Sequence, residues 1–310
     1  MSDLMSAGVV ALVVCLCSVC LTWRVRKYAL RTRLLDQPNA RSSHTQPTAR
    51  GGGLAIVLAS MLGALALWGL GLLHLRFLFG FIAGGGLLAA VGFLDDRRGV
   101  SPLTRVCVHI AAAVVGVASI GGLPVLQFGM TELQAGLVGS ALGVIALVWT
   151  INLFNFMDGI DGIAGSEAVF VSAATATLIL ISGGGLGLAS LSAVIAAAAL
   201  GFLFWNWPPA KIFMGDVGSG YLGYTLGLLA LSAARVGDVQ LASSMILGGV
   251  FMVDATLTLL RRFARGERVY EAHRTHAYQW LARRWASHRR VTLLVIGTNL
   301  LWLAPCAAWA

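Results

Sequence analysis

Lys211-Ile212-Phe213-Met214-Gly215-Asp216 runs almost directly into the apolar stretch 218–234. Read as a membrane-spanning helix, 218–234 makes Asp216 a charge at a membrane boundary. Desolvating a carboxylate there costs kilocalories, so an acid in that position marks an ion or substrate site. The pattern recurs along the chain. Asp95-Asp96 follow one apolar stretch, and Asn155, Asp158 and Asp161 close another. Ordinary loop acids in water would account for each one singly, but not for their grouping.

The composition agrees with a membrane setting. The 310 residues are 58% hydrophobic and 11% charged, with a mean hydropathy of +0.83, whereas soluble domains carry about 25% charged residues. Stretches long enough to cross ~30 Å of hydrocarbon as helices lie at 6–23, 52–73, 77–94, 103–121, 135–151, 166–182, 186–205, 218–234, 241–260 and 291–309. They predict an all-α polytopic integral membrane protein of about ten transmembrane helices, forming a single domain over 1–310. Asp3 precedes the first stretch, and Arg24, Arg26 and Lys27 follow it. That is the reverse of a cleaved signal, so the stretch reads as a permanent span. Cys15, Cys17, Cys20, Cys107 and Cys306 all fall within apolar runs, where they read as small packing residues rather than disulfide or zinc partners.

Basic residues set the orientation, because loops rich in Lys and Arg stay cytoplasmic. With the N-terminus outside (periplasmic), all but Arg76 and Arg235 of the 22 basic residues fall on the inner side. The net charge of +9 is therefore a topology signal, and no nucleic-acid partner is expected. The same alternation puts every acid cluster in the cytoplasmic loops 24–51, 95–102, 152–165, 206–217 and 261–290.

In Asn152-Leu153-Phe154-Asn155-Phe156-Met157-Asp158-Gly159-Ile160-Asp161-Gly162 the polar residues recur every third position. On a helix that spacing aligns Asn152, Asn155 and Asp158 along one side, and the glycines let the backbone approach a ligand. Carboxylate and amide oxygens are hard ligands suited to magnesium, which is held by one or two carboxylates plus substrate phosphates. Adjacent Asp95 and Asp96 raise each other's proton affinity unless a cation intervenes; alternatively, Asp96 caps a helix and Asp95 is solvated. Phe213 offers a face for a base, and Lys211 and Asn206 can reach substrate oxygens. Gly218-Ser219-Gly220-Tyr221-Leu222-Gly223 spells a dinucleotide fingerprint, but no strand-helix-strand unit surrounds it, so its small residues read as helix-packing positions.

The loop Asp36-Gln37-Pro38-Asn39-Ala40-Arg41-Ser42-Ser43-His44, with Arg50-Gly51-Gly52-Gly53 beyond it, suits an anionic ligand through arginines and backbone amides. Arg261 to Arg268, followed by His273-Arg274-Thr275-His276, supplies cations for phosphate or for lipid headgroups. His74 and His109 read as interfacial or packing residues, His288 as part of a solvated basic face, and Asp254 as a buried acid needing a partner.

Taken in this order, the motifs resemble the polyprenyl-phosphate N-acetylhexosamine-1-phosphate transferases over nearly the whole chain. The nearest subgroup is similar to the O-antigen-initiating enzymes. The resemblance implies a UDP-N-acetylhexosamine donor, an undecaprenyl phosphate acceptor, surrounding membrane lipids and magnesium as cofactor, with manganese as a substitute. It also implies a bacterial inner membrane, multi-pass location with the active site on the cytoplasmic side; a homodimer is compatible with it. Asn155 and Asp216 would lie at the metal, and Asp95, Asp96 and Asp158 would serve catalysis. Substrate contacts would come from His44, Arg105, Asn152 and Asn206, from Asp161 and Phe213 at the uracil, and from Arg274 and His276 at the diphosphate. The chain departs from the family where relatives carry further histidines after His276: here stand Ala277, Tyr278 and Gln279.

The expected reaction is attack of the lipid phosphate on the sugar-bearing phosphorus, with Asp95 or Asp96 taking any remaining proton; a covalent aspartyl-phosphate route is the other possibility. A membrane transporter with an ion-coupled site is the rival reading, disfavoured because the polar residues gather at one face rather than at mid-membrane. An aspartyl protease built on Gly-x-Gly-Asp is a poor match, because Phe213 stands where its first glycine belongs.

Overall fold

The computed structural model describes residues 2–38, 46–123, 126–128, 131–133, 136–267 and 274–310. Its helices are α1 (Ser2–Thr32), α2 (Gly53–Gly69), α3 (Leu75–Arg98), α4 (Pro102–Ile120), α5 (Gly136–Met157), α6 (Ile163–Ile181), α7 (Leu186–Asn206), α8 (Asp216–Val236), α9 (Leu241–Leu247), α10 (Gly249–Ala264), α11 (Ala277–Trp285), α12 (His288–Thr298) and α13 (Ala304–Trp309). A π-helical turn, Asn299–Leu303, joins the last two. Two short antiparallel pairs complete the fold: β1 (Leu35–Asp36) with β2 (Thr48–Ala49), and β3 (Leu126–Phe128) with β4 (Thr131–Leu133).

The chain is an all-α polytopic membrane protein, and each predicted span falls on a helix. The count of ten needs correcting at two places. Among the described residues eight helices are long and apolar enough to cross, counting 288–309 as one. The second predicted span, 52–73, folds as the 17-residue α2, and the ninth breaks into α9 and α10, bent by 79°. The break falls at Gly248, between α9 and α10, and hydrophobic run length cannot register such a bend.

Burial reverses the order of hydropathy. α8 has the lowest hydropathy among these spans yet is the most enclosed, with 83% of its apolar core buried, whereas α1, the most apolar, is 17% buried. α1 lies on α2 and α7 at the rim, while α8 packs chiefly against α3 and α5 and also touches α2, α4, α6 and α7. A lipid-facing helix needs apolar side chains, whereas a central one needs small side chains and satisfied polar groups. Accordingly, Tyr221 Oη meets Ser60 Oγ at 2.7 Å and Tyr224 Oη donates to the Gly80 carbonyl at 2.7 Å. The fingerprint-like glycines of α8 thus serve packing.

Gly53 at the start of α2 lies directly against Gly218 of α8, and a Cβ on Gly53 would strike the Gly218 backbone. Neither backbone can yield, so Gly53→Ala is expected to destabilise the fold by about 2–3 kcal/mol. The check is thermal unfolding in detergent; an unchanged midpoint would contradict the packing.

The β1–β2 pair closes the 35–49 loop and delivers residues 49–53 to the segment before α8. Phe213 N–H donates to the Ala49 carbonyl at 2.8 Å, Gly52 N–H to Phe213 at 2.9 Å, and Gly53 N–H to Met214 at 2.8 Å. This backbone staple brings Arg50 up to Asp216. Gly215, at φ +76°, makes the left-handed step that turns the segment into α8.

Candidate active site

Helices α3, α5 and α8 end together, and their terminal acids form one cluster with Arg50. Asp96 side-chain oxygens accept from the first backbone amides of α8, Asp216 N–H at 3.0 Å and Val217 N–H at 3.2 Å. Asp96 therefore caps a helix 120 residues away, where the amide ends and macrodipole favour a carboxylate. Arg50 Nε lies 2.7 Å from Asp96, and its Nη2 lies 3.2 Å from Asp216 Oδ1. Asn155 Nδ2 donates to Asp216 Oδ1 at 2.8 Å and to Ser219 Oγ at 3.0 Å. Asp95 accepts from Val100 N–H at 2.7 Å and pairs with Arg105 at 2.8 Å.

These partners separate the acids by availability. The Asp96 side chain is fully buried, and both its oxygens are engaged. Both oxygens of Asp95 are likewise engaged. Asp96 thus helps build the site and Asp95 holds Arg105, positioning roles that come in addition to the catalytic ones expected of them. Asp158 has no hydrogen-bond or ion-pair partner among the described residues. Burial pushes its carboxyl well above the usual carboxylate range; Arg50 opposes this, while Asp216, Asp96 and Asp161 add to it. Burial would lower the Arg50 guanidinium, but Asp96, Asp216, Asp36 and Asp158 outweigh it and raise its pKa.

Arg50 and Arg105 can balance two of the four carboxylates; the acidic neighbours are part of what drives Asp158 toward its neutral form, and a further cation at the centre would favour its charged form. Among the described residues no three His, Cys, Asp or Glu side chains form a ready-made metal cage. Asp216, Asp158 and the Asn155 amide instead offer the sparse oxygen set that magnesium shares with substrate phosphates, so the residues present fit that ion.

A small cavity of about 20 Å³ sits behind this centre, lined by Asp95, Arg105, His109, Asn155 and Asp216. His109 is buried, as its reading as a packing residue requires, and it also borders this cavity; among the described residues its Nδ1 has no hydrogen-bond partner.

Beside the centre opens a cleft of about 790 Å³, lined in part by Asp161, Phe213, Arg274, Arg283, His288 and Arg289. Phe213 lies three residues before Asp216 and Asp161 three after Asp158, so two loops feed both the cleft and the acid centre. Asp161 Oδ2 accepts from Ala210 N–H at 3.1 Å, and its Oδ1 lies 3.2 Å from His288 Nδ1. Placing His288 on a solvated face is therefore wrong; the turn from α11 into α12 folds it onto Asp161. Lys211 points away, its ammonium 5.3 Å from the Trp205 ring centre.

Three predicted substrate residues are held by the protein itself. Asn206 is 3% exposed; it accepts from Gly162 N–H at 3.0 Å and donates to the Ile212 carbonyl at 2.9 Å, clamping the two loops together. Asn152 donates back to Val148 of its own helix at 2.7 Å. His276 is 2% exposed, ring-stacked with Phe156 and Tyr278, with Nδ1 3.3 Å from Asp254. Asp254 finds its partner here: it also accepts from Ala277 and Tyr278 N–H at 2.9 and 3.0 Å, capping α11. Tyr278 Oη reaches the Phe156 carbonyl at 2.9 Å, so α11 is fastened to the end of α5. Of the predicted diphosphate contacts, Arg274 does line the cleft. His44 and His273 lie outside the described residues.

Comparison with known proteins supplies an independent view. Residues 78–234 match glycosyl transferase family 4. A probable undecaprenyl-phosphate N-acetylglucosaminyl 1-phosphate transferase of Bacillus subtilis is 31% identical over 93% of this chain and 80% of its own. A decaprenyl-phosphate N-acetylglucosaminephosphotransferase of Mycolicibacterium smegmatis is 34% identical over 87% of this chain and 74% of its own. An undecaprenyl-phosphate alpha-N-acetylglucosaminyl 1-phosphate transferase of Yersinia pestis is 28% identical over 87% and 75%.

Proposed function

Because the chain belongs to glycosyl transferase family 4, we propose that it transfers an N-acetylhexosamine 1-phosphate from a UDP-sugar to undecaprenyl phosphate. UMP is released, and the lipid-linked sugar diphosphate starts a surface glycan such as O-antigen. The proposed location is the bacterial cytoplasmic membrane, with the site on the cytoplasmic side, where the charge bias puts nearly all basic residues. The single observation that carries this reading is the meeting of Arg50, Asp96, Asn155 and Asp216, from four separate segments, beside a cation-lined cleft.

The cleft has the size of a small-ligand site. Phe213 offers its ring to the base at a wall made by Asp161 and His288, and Arg274, Arg283 and Arg289 face the diphosphate. That pose sends the sugar-bearing phosphorus toward Asp216 and Asp158. Magnesium held by Asp216, Asp158 and Asn155 would neutralise charge on the phosphates. Arg105, held by Asp95, faces the acceptor phosphate. An apolar cavity of about 320 Å³ between α5, α8, α9 and α10 begins at Leu153 and Phe154, adjoining Asn155, and offers the polyprenyl chain a surface.

An acceptor phosphate oxygen forms the new bond to the sugar-bearing phosphorus while the bond to the UMP oxygen breaks. The acceptor is largely ionised at neutral pH, with a second pKa near 6, so positioning dominates over base catalysis. Any proton left on it can leave with the departing UMP phosphate, a group of similar second pKa.

His288→Ala is expected to raise the KM for the nucleotide sugar about tenfold with a smaller change in kcat, because it loosens Asp161 at the cleft wall and not the reacting centre. The decisive assay offers purified protein a panel of UDP-sugars with undecaprenyl phosphate and magnesium. UDP-N-acetylhexosamines should yield UMP and a lipid product of matching mass, and UDP-glucose neither. Substrate uptake into vesicles without UMP release would support the transporter reading instead.

A further inference from the structure

The end of the bundle opposite the acid centre carries a second cleft, about 580 Å³ in volume, lined in part by His74, Arg76, Phe77, Leu188, Arg235 and Asp238. Its position follows from the chain: α3 ends, and α4 begins, at the acid centre, so His74 before α3 and Ile120 at the end of α4 lie at the far side. Arg76 and Arg235 are the two basic residues that the topology count leaves outside. Cationic side chains are disfavoured on that side, so their meeting in one cleft requires an explanation.

Capping the C-terminus of α4 is part of it. Arg76 Nη2 donates to the Ala118 carbonyl at 2.6 Å, and Arg235 donates through Nε to Ile120 at 3.1 Å and through Nη1 to Leu123 at 3.3 Å. Both guanidiniums thus gather on one helix end, yet among the described residues neither has a carboxylate ion-pair partner. Asp238 is turned to the Gly185 amide at 3.1 Å. Each guanidinium has five N–H donors, and the carbonyl bonds use one on Arg76 and two on Arg235. The remaining donors of two exposed arginines stand over apolar walls from Phe77 and Leu188.

We propose that this cleft binds the headgroup of an anionic phospholipid in the outer leaflet, its phosphate held by Arg76 and Arg235 and its acyl chains laid along the apolar walls. The forked, permanently charged guanidinium matches phosphate geometry, and the apolar lining matches a lipid rather than a free anion. The site is separate from catalysis and stands or falls independently of the reaction.

The test uses the full chain in phosphatidylcholine nanodiscs containing photoactivatable phosphatidylglycerol, with cross-links mapped by mass spectrometry. Cross-links are expected within 72–77 and 235–239. In Arg76→Gln/Arg235→Gln they should fall about tenfold or more, the loss expected for charge-assisted contacts, while cross-links to the basic residues of 261–290 and transferase turnover stay unchanged. If the double variant does not fold, Arg76→Gln alone, which gives up one carbonyl bond, carries the comparison. Absence of far-side cross-links in the parent chain, equal yields in parent and variant, or equal yields from photoactivatable phosphatidylcholine would overturn the proposal. So would displacement by millimolar inorganic phosphate, which would assign the cleft to a free anion.

Discussion

Asp216→Asn is expected to abolish sugar-phosphate transfer, lowering kcat by about 10³-fold or more, while the protein stays folded and membrane-inserted. Asp216 sits on the first turn of α8, 23% exposed, where Arg50 and Asn155 hold one oxygen. Asparagine keeps the shape and removes the charge that organises cationic and phosphoryl groups at the reacting centre, a contribution of the size seen when preorganised electrostatic groups are deleted. The stability cost is small, about 1 kcal/mol, because one of several clustered carboxylates is neutralised. Turnover within tenfold of the parent would refute the assignment; an unfolded variant would show that the residue is structural.

The second large effect concerns Arg50, whose removal should damage folding as well as turnover. It is the cation beside the fully buried Asp96 side chain, and stripping the partner from a buried charge costs about 3–5 kcal/mol. Arg50 keeps about a third of its own exposure, and Asp96 retains two amide donors, so ~2 kcal/mol is the expected loss for Arg50→Met. Adding Asp96→Asn should recover part of it, because the orphaned charge is gone. That sign, read from thermal unfolding of the single and double variants, separates a buried ion pair from a surface contact; an additive loss would contradict it.

The spans were legible because hydrophobic run length reports directly on helices that cross a bilayer. The bend at Gly248 and the short α2 were not, since composition carries no angle. The sites of Asp216, Asn155 and Asp158 were legible for a different reason: polar residues at the ends of apolar helices stand out. What they bond to was hidden. Asp96 caps α8 across 120 residues, and Arg50 reaches Asp216 only through the staple between residues 49–53 and 213–214. Nothing local in the sequence encodes either contact.

The histidines show the same limit. His276 sits in a basic run that reads as a phosphate-binding arm, yet it is buried against Phe156 and Tyr278 and bonded to Asp254. His288 sits in an equally basic run, yet it faces Asp161 in the cleft. The Ser287 side chain that accepts from Arg290 N–H marks the start of α12, and this capping signal was available in the sequence. The turn it begins is what carries His288 inward.

In the proposed site, carboxylates from α8 and from the loop after α5 meet at one divalent ion beside the nucleotide cleft. Electron paramagnetic resonance of manganese, titrated into purified protein with UDP-N-acetylglucosamine present, tests it most directly. The expected result is one site whose affinity falls about tenfold or more in Asp216→Asn and again in Asp158→Asn. Equal manganese binding by the parent and both variants would contradict it.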